Sequence, residues 1–168
     1  MYNKMRNALL SNFDIIELSE MLKIPLIDIV SKDTLLTMTP QSGCYVINLE
    51  DSGGLGTHWV CLILGTYVSY FDPFGLYPSE DVSLFISWYM NDKKKMDIIY
   101  SSSQIQDMDS ILCGWYCLYF MYFHAVLHND NHDNKYLMSK HNKMFKRVGF
   151  NTKINDNILQ QLIKNVFT

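Results

Sequence analysis

Apolar and polar positions divide the chain into short runs separated by Gly, Pro and clusters of Asp, Asn and Ser. In NFDIIELSEMLKI (12–24), Phe13, Ile16, Leu18, Met21 and Leu22 recur near helical spacing. Ser11 or Asn12 is placed to cap that run, and the pattern predicts a short amphipathic helix. Pro25 and Pro40 punctuate the next segment, and CYVINL (44–49) is β-branched and apolar enough for a buried strand. The loop EDSGGLGT leads into a second strand, HWVCLILG (58–65). A turn at Gly65-Thr66 leads to a third, YVSYFD (67–72), which makes an antiparallel hairpin. Pro73, Gly75 and Pro78 break the pattern. SEDVSLFISWYM (79–90) then carries Ser79, Glu80 and Asp81 as helix-start signals before an apolar face. DKKKMDIIYSS reads as a charged turn into a short strand at 96–101, and a polar loop runs from there to Ser110.

From Ile111 to His128 there is no Asp, Glu, Lys or Arg, and ILCGWYCLYFMYFHAVLH is apolar nearly all round. Such a run predicts a helix at the centre of a domain. A membrane span is the rival, but the run holds two histidines and three tyrosines and only just reaches the roughly 18 residues needed. No membrane association is expected. A polar loop and one or two helices end the chain. The fold class predicted is α+β: a small mixed sheet carrying His58 and Asp72, packed on a central buried helix that starts at Cys113, with other helices outside.

Composition narrows the class. The 168 residues are 48% hydrophobic and 18% charged, with a net charge of −3, which fits a single domain over 1–168 and excludes a disordered tail or a collagen-like chain. The four cysteines, Cys44, Cys61, Cys113 and Cys117, form no C-x-x-C pair, and reduced thiols in a cytosol-like compartment are expected. The first residues, MYNKMRNALLSNFD, lack a long apolar stretch, so secretion is not expected. Charge is unevenly spread. Residues 135–168 carry +6 and the rest −9. In KHNKMFKRVGF (140–150), Lys140, Lys143 and Arg147 can share one helical face, with Lys146 beside them. A solvated surface is the ordinary explanation for such a run.

Candidate chemistry gathers around Cys113, where a polar loop enters the long helix. Unpaired N–H groups at a helix N-terminus favour a thiolate, and Gly114 leaves the backbone beside the sulfur uncovered. Position alone also fits a buried small hydrophobe. A nucleophilic cysteine needs a proton acceptor, and His58 stands at a strand start after a glycine-rich loop and before Trp59, whose indole can face an imidazolium. Asp72 ends the neighbouring strand of the hairpin, roughly opposite His58. An orienting acid and a turn aspartate before proline are both consistent with that place. Oxyanion donors come from the helix start and from Gln106, with Gln104 the competitor. Zinc is not expected. His58 and Cys61 point to opposite faces of a strand, and in the series His124, His128, His132 an alanine replaces the glutamate of H-E-x-x-H.

The order His, Asp, Gln, Cys in the contexts GGLGTHWV, YFDPFG and QDMDSILCGWYC resembles the adenovirus protease (adenain) branch of the cysteine peptidases, which also includes the SUMO-deconjugating enzymes. In that protease a G-G-x-H-W strand is followed by an acidic residue-Pro-Phe-Gly, and a Gln lies seven residues before C-G. The resemblance implies His58 as base, Asp72 as orienting acid, Gln106 as oxyanion residue and Cys113 as nucleophile, with Trp59 and Gly114 at the substrate. It implies an adenain-like fold and a cysteine endopeptidase that needs no cofactor. Capsid precursors of a DNA virus, virophage or virus-like transposon are the expected substrates, cut after small residues such as Gly in the virion or the cytoplasmic viral factory. Processing of ubiquitin-like proteins is the alternative. The resemblance also adds weak DNA contact through Lys140, Lys143, Lys146 and Arg147. Cys44, Cys61 and Cys117 fall on predicted buried elements, which argues against a disulfide-linked peptide activator.

Overall fold

The structure is a computed structural model that describes residues 8–54, 56, 58–91, 96–128, 133–145 and 152–167. Its elements in order are α1 (Asn12–Met21), β1 (Leu26–Ser31), a single turn α2 (Lys32–Leu35), β2 (Gly43–Asn48), β3 (Trp59–Leu64), β4 (Val68–Phe71), α3 (Glu80–Met90), β5 (Ile98–Tyr100), α4 (Cys113–Met121), α5 (Asn134–Lys143) and α6 (Lys153–Val166). The strands form one mixed sheet in the order β1-β2-β3-β4-β5. The central pairs are antiparallel and the two outer pairs parallel. The α+β class expected from the sequence is therefore found.

Strands β2, β3 and β4 read as continuous apolar runs because both faces of the sheet are covered. Alternate side chains serve alternate layers. Cys44, Val46, Cys61, Ile63 and Phe71 pack on α4, together with Ile15 and Leu18 of α1 and Leu159 and Ile163 of α6. Tyr45, Ile47, Val60, Leu62 and Tyr70 face the other way, onto Val82, Phe85 and Ile86 of α3. One joint of the first layer is Phe71 stacked on Phe120, centroids 4.4 Å apart, a pairing that adds about 1 kcal/mol to the burial itself.

Several expectations need correction. Strand β1 has no counterpart among the predicted elements; it is the edge strand after Pro25, and Asp28 interrupts the apolar run of LIDIVS. Helix α1 is capped at Ser11 by a reciprocal capping box with Asp14, but it buries Ile15, Leu18 and Ser19 while Phe13, Ile16 and Met21 lie exposed. The central helix starts at Cys113, as expected, but after Met121 it widens into a π-helical stretch, Tyr122–Leu127. There His124 is buried between aromatic rings, 4.1 Å from Phe120, with neither ring nitrogen hydrogen-bonded. Burial pushes its pKa well down. His132 lies outside the described residues. Helix α5 ends at Lys143 and carries Lys140 and Lys143 of the face expected over 140–147, while 146 and 147 lie outside the described residues. Among the described residues no helix is long and apolar enough to cross a membrane.

Candidate active site

His58 sits one residue before β3, and its carbonyl accepts the Leu49 N–H across the strand pair, 3.0 Å. The glycine-rich loop that delivers it is tied back by Glu50, whose Oε2 accepts the Gly56 N–H. Gly56 has φ +76, in the left-handed region that favours glycine. The imidazole Nε2 donates to Asp72 Oδ1 at 2.8 Å. Cys113 is the second group that favours the protonated ring, adding to the effect of Asp72.

Asp72 follows β4 and is fully buried. Its Oδ1 also accepts the Phe74 N–H at 2.7 Å, and Ser101 holds its backbone on both sides. The Ser101 hydroxyl accepts the Asp72 N–H (2.9 Å) and donates to its carbonyl (3.0 Å). The turn after it closes with Gly75 N–H on the Asp72 carbonyl. Gly75 has φ +72, and a Cβ there would meet the backbone of Ser103 and Gln104 at 2.6 Å. The acid's turn is thereby packed flat on the loop that carries Gln106. Pro73 O accepts the N–H groups of Ile105 and Gln106, at 2.9 and 3.0 Å.

The strand register differs from the expectation. Leu64 pairs with Val68 and Cys61 with Phe71, so the same register continued outward sets Phe74, not Asp72, across from His58. The Phe74 ring stacks on the imidazole, centroids 4.3 Å apart and nearly parallel. Phe74 therefore fills the cation–π place expected of Trp59. Trp59 is instead packed beside Gly114, its Nε1 donating to the Leu10 carbonyl at 3.2 Å. Gly114 is not uncovered: a Cβ there would meet Leu10 at 3.2 Å and Trp59 at 3.4 Å. Phe74 and Ser101 have no role in the sequence-based expectation. Phe74 stands in the D-P-F-G motif, which is the available signal; a serine 29 residues from Asp72 offers none.

Cys113 is the first residue of α4, and no side chain caps the helix at Leu112. Gln106 is fully buried, its Nε2 donating to the Ser110 carbonyl at 2.8 Å. Gln104 is only partly buried and donates to the Gln106 carbonyl, 3.0 Å, which makes it a support. The other thiols are held neutral: burial pushes Cys44 up to about 12 and raises Cys61 and Cys117. Among the described residues no three His, Cys, Asp or Glu side chains converge as a metal site. Of the four expected DNA-contacting cations, Lys146 and Arg147 lie outside the described residues, and Lys140 is turned toward His128 (3.3 Å) and the Phe123 ring. Lys143 is exposed at the end of α5.

His58 titrates high. Burial is the largest influence and pulls its pKa down, but hydrogen bonds to Asp72 and Cys113 and the charges of both outweigh it, raising the value from 6.5 to about 9. The imidazolium is thus the form that can give a proton to a leaving amine, and it persists through neutral pH. We expect kcat/KM to fall on the alkaline side only near pH 9, and Asp72→Asn to move that limb downward. A pH series measures it; an alkaline fall already complete by about pH 7.5 would contradict the assignment. The sign for stability is the same. A raised folded-state value contributes stability that is full below about pH 6.5 and lost as pH rises through about 9.

No protein-family model matches this sequence, and no curated protein does. Among solved structures, the chain is similar to the ASFV pS273R protease, with TM-score 0.61 and 17% identity over 94% of this chain and 69% of that one. The selenomethionine form of the same protease gives TM-score 0.57 and 18% identity over 94% and 70%. A SUMO protease with its catalytic cysteine oxidised to a sulfinic acid aligns more distantly, TM-score 0.46 and 12% identity over 96% and 80%. The likeness to the ASFV protease is one of fold.

Proposed function

We propose that this chain is an adenain-like cysteine endopeptidase that cuts capsid precursor proteins of a DNA virus, virophage or virus-like transposon after small residues such as Gly. The observation that carries the peptidase reading is His58 bonded to buried Asp72, with Cys113, which also favours the protonated ring, at an uncapped helix start. The viral assignment is supported by sharing a fold with a viral protease.

The Cys113 thiolate attacks the peptide carbonyl carbon, and the developing oxyanion is held by the Cys113 N–H and Gln106. As the C–N bond breaks, the His58 imidazolium gives its proton to the leaving amine. Water then adds to the thioester, His58 taking its proton, and the acid and the thiol are released. Asp72 keeps the imidazole in the required orientation, with Phe74 stacked against it. A cleft of about 570 Å³ opens beside Trp59, bordered by Leu9, Asp28, Val30, Asn48 and Gly56.

Incubating the protein with a peptide library beside its Cys113→Ala variant tests this. Cleavage after small residues by the wild type alone is expected. Cleavage by both proteins would refute it, and cleavage confined to ubiquitin-like precursors would transfer the substrate to the SUMO type.

A further inference from the structure

We infer that the first turn of α6 is a clamp that positions the Gln106 loop, so that Thr152, Asn155 and Asp156 govern the chemical step without touching substrate. This rests on the peptidase reading above for its consequence, though not for its geometry.

Three side chains from five consecutive positions reach three separate points of one loop. The Thr152 hydroxyl donates to Asp107 Oδ2 at 2.6 Å. Asn155 Nδ2 donates to the Ile105 carbonyl at 2.8 Å. Asp156 Oδ1 accepts the Ser110 hydroxyl at 3.1 Å. The same Asp156 oxygen accepts the Tyr116 hydroxyl at 2.9 Å, and Tyr116 lies one turn beyond Cys113 on α4. A single helix end is therefore bonded both to the loop bearing Gln106 and to the helix bearing Cys113.

These contacts are not ordinary capping. A threonine at an N-cap usually bonds the leading N–H groups of its own helix, yet Thr152 makes no such bond and is diverted to Asp107. Asn155 is fully buried, so its amide would not be kept there without a partner worth the desolvation. The loop also has ties of its own, all within 104–112: Gln104 Nε2 bonds the Gln106 carbonyl at 3.0 Å, the Asp109 N–H bonds Asp107 Oδ1 at 3.1 Å and the Leu112 N–H bonds the Ser110 hydroxyl oxygen at 3.2 Å. The Ser110 N–H bonds the Asp107 carbonyl at 3.0 Å, and the Gln106 side chain bonds the Ser110 carbonyl at 2.8 Å. On its other flank the Pro73 carbonyl holds Ile105 and Gln106. Gln106 is thus gripped between the turn of Asp72 and the start of α6. An oxyanion donor works only if it is preorganised, and a displacement of about 1 Å is enough to matter.

The test uses Thr152→Val, Asn155→Ala and Asp156→Leu, against Thr152→Ser and Asp156→Asn, which keep the hydroxyl and the accepting oxygen. The clamp predicts kcat down by about 10-fold in the first set, KM within about twofold, and recovery in the conservative pair. A peptide aldehyde, which needs the oxyanion site, should weaken by the same factor, while Cys113 alkylation by iodoacetamide, which does not, should keep its rate. Adding Asn155→Ala to Gln106→Ala should cost nothing more, because the first acts through the second. Backbone hydrogen exchange across 104–112 should quicken in the first set, whether or not the wild type cleaves peptides. Absence of turnover in the wild type would therefore remove the peptidase reading and leave the clamp to the exchange result. Unchanged exchange at 104–112, or kcat and alkylation falling together with thermal stability, would overturn the clamp. Thr152→Val, the mildest change, keeps the test decisive if Asp156→Leu fails to fold.

Discussion

His58→Ala is expected to lower kcat/KM by about 10³- to 10⁴-fold, on the scale at which losing one member of a coupled nucleophile, base and acid stops turnover. The side chain moves two protons in each cycle, and nothing else beside Cys113 replaces it. Asp72 meets it on one edge at 2.8 Å, Phe74 covers one face at 4.3 Å, and Cys113 adds to Asp72 in favouring the protonated ring. The double variant His58→Ala/Cys113→Ala should be no worse than either single one. Stability needs its own measurement, because removing His58 leaves the buried Asp72 carboxylate with the Phe74 N–H on Oδ1 and no partner on Oδ2. Breaking a buried pair from one side costs about 3–5 kcal/mol. His58→Gln retains a donor, so it should recover stability without activity; recovery of both would show that the imidazole is structural.

Gln106→Ala should lower kcat by about 10²- to 10³-fold with little change in KM, the usual effect of losing one oxyanion donor. Gln104→Ala should stay within a fewfold, since its amide reaches only the Gln106 carbonyl. The contrast separates Gln106, the glutamine favoured from the sequence, from Gln104, its competitor. Full burial is what distinguishes Gln106: its Oε1 has no hydrogen-bond partner, while Nε2 is held by Ser110. Steady-state kinetics on both variants decide the matter, and a crippled Gln104→Ala beside a fully active Gln106→Ala would move the role two residues upstream.

How legible each feature is in the sequence depends on how locally it is written. Strands β2 to β4 and helices α3 and α4 are long apolar runs bounded by Gly, Pro and capping residues, so their places are legible. The buried face of α1 is not, because apolar residues line more than one side and only packing on α4 selects Ile15 and Leu18. Hairpin register depends on turn geometry. The actual register sets Phe74, two residues past Asp72, across from His58. Helix α5 starts at the Asp133 cap within a stretch that reads as polar loop, and it ends at Lys143, inside the expected basic face. The side chains that hold the site are the least legible of all. Ser101 and the Thr152, Asn155 and Asp156 group are ordinary polar residues whose partners lie 29 to 50 positions away.

The central claim is that Cys113 is a nucleophile made reactive by His58, and cysteine mapping under limited alkylation tests it most directly. All four thiols are buried, Cys113 at 3% exposure and the others at 0%, so reactivity must come from the histidine and the helix start rather than from access alone. With substoichiometric iodoacetamide at about pH 7, mass spectrometry should find the label on Cys113 and its rate should fall sharply in His58→Ala. First labelling at Cys44 or Cys61, or a Cys113 rate indifferent to the loss of His58, would contradict the account.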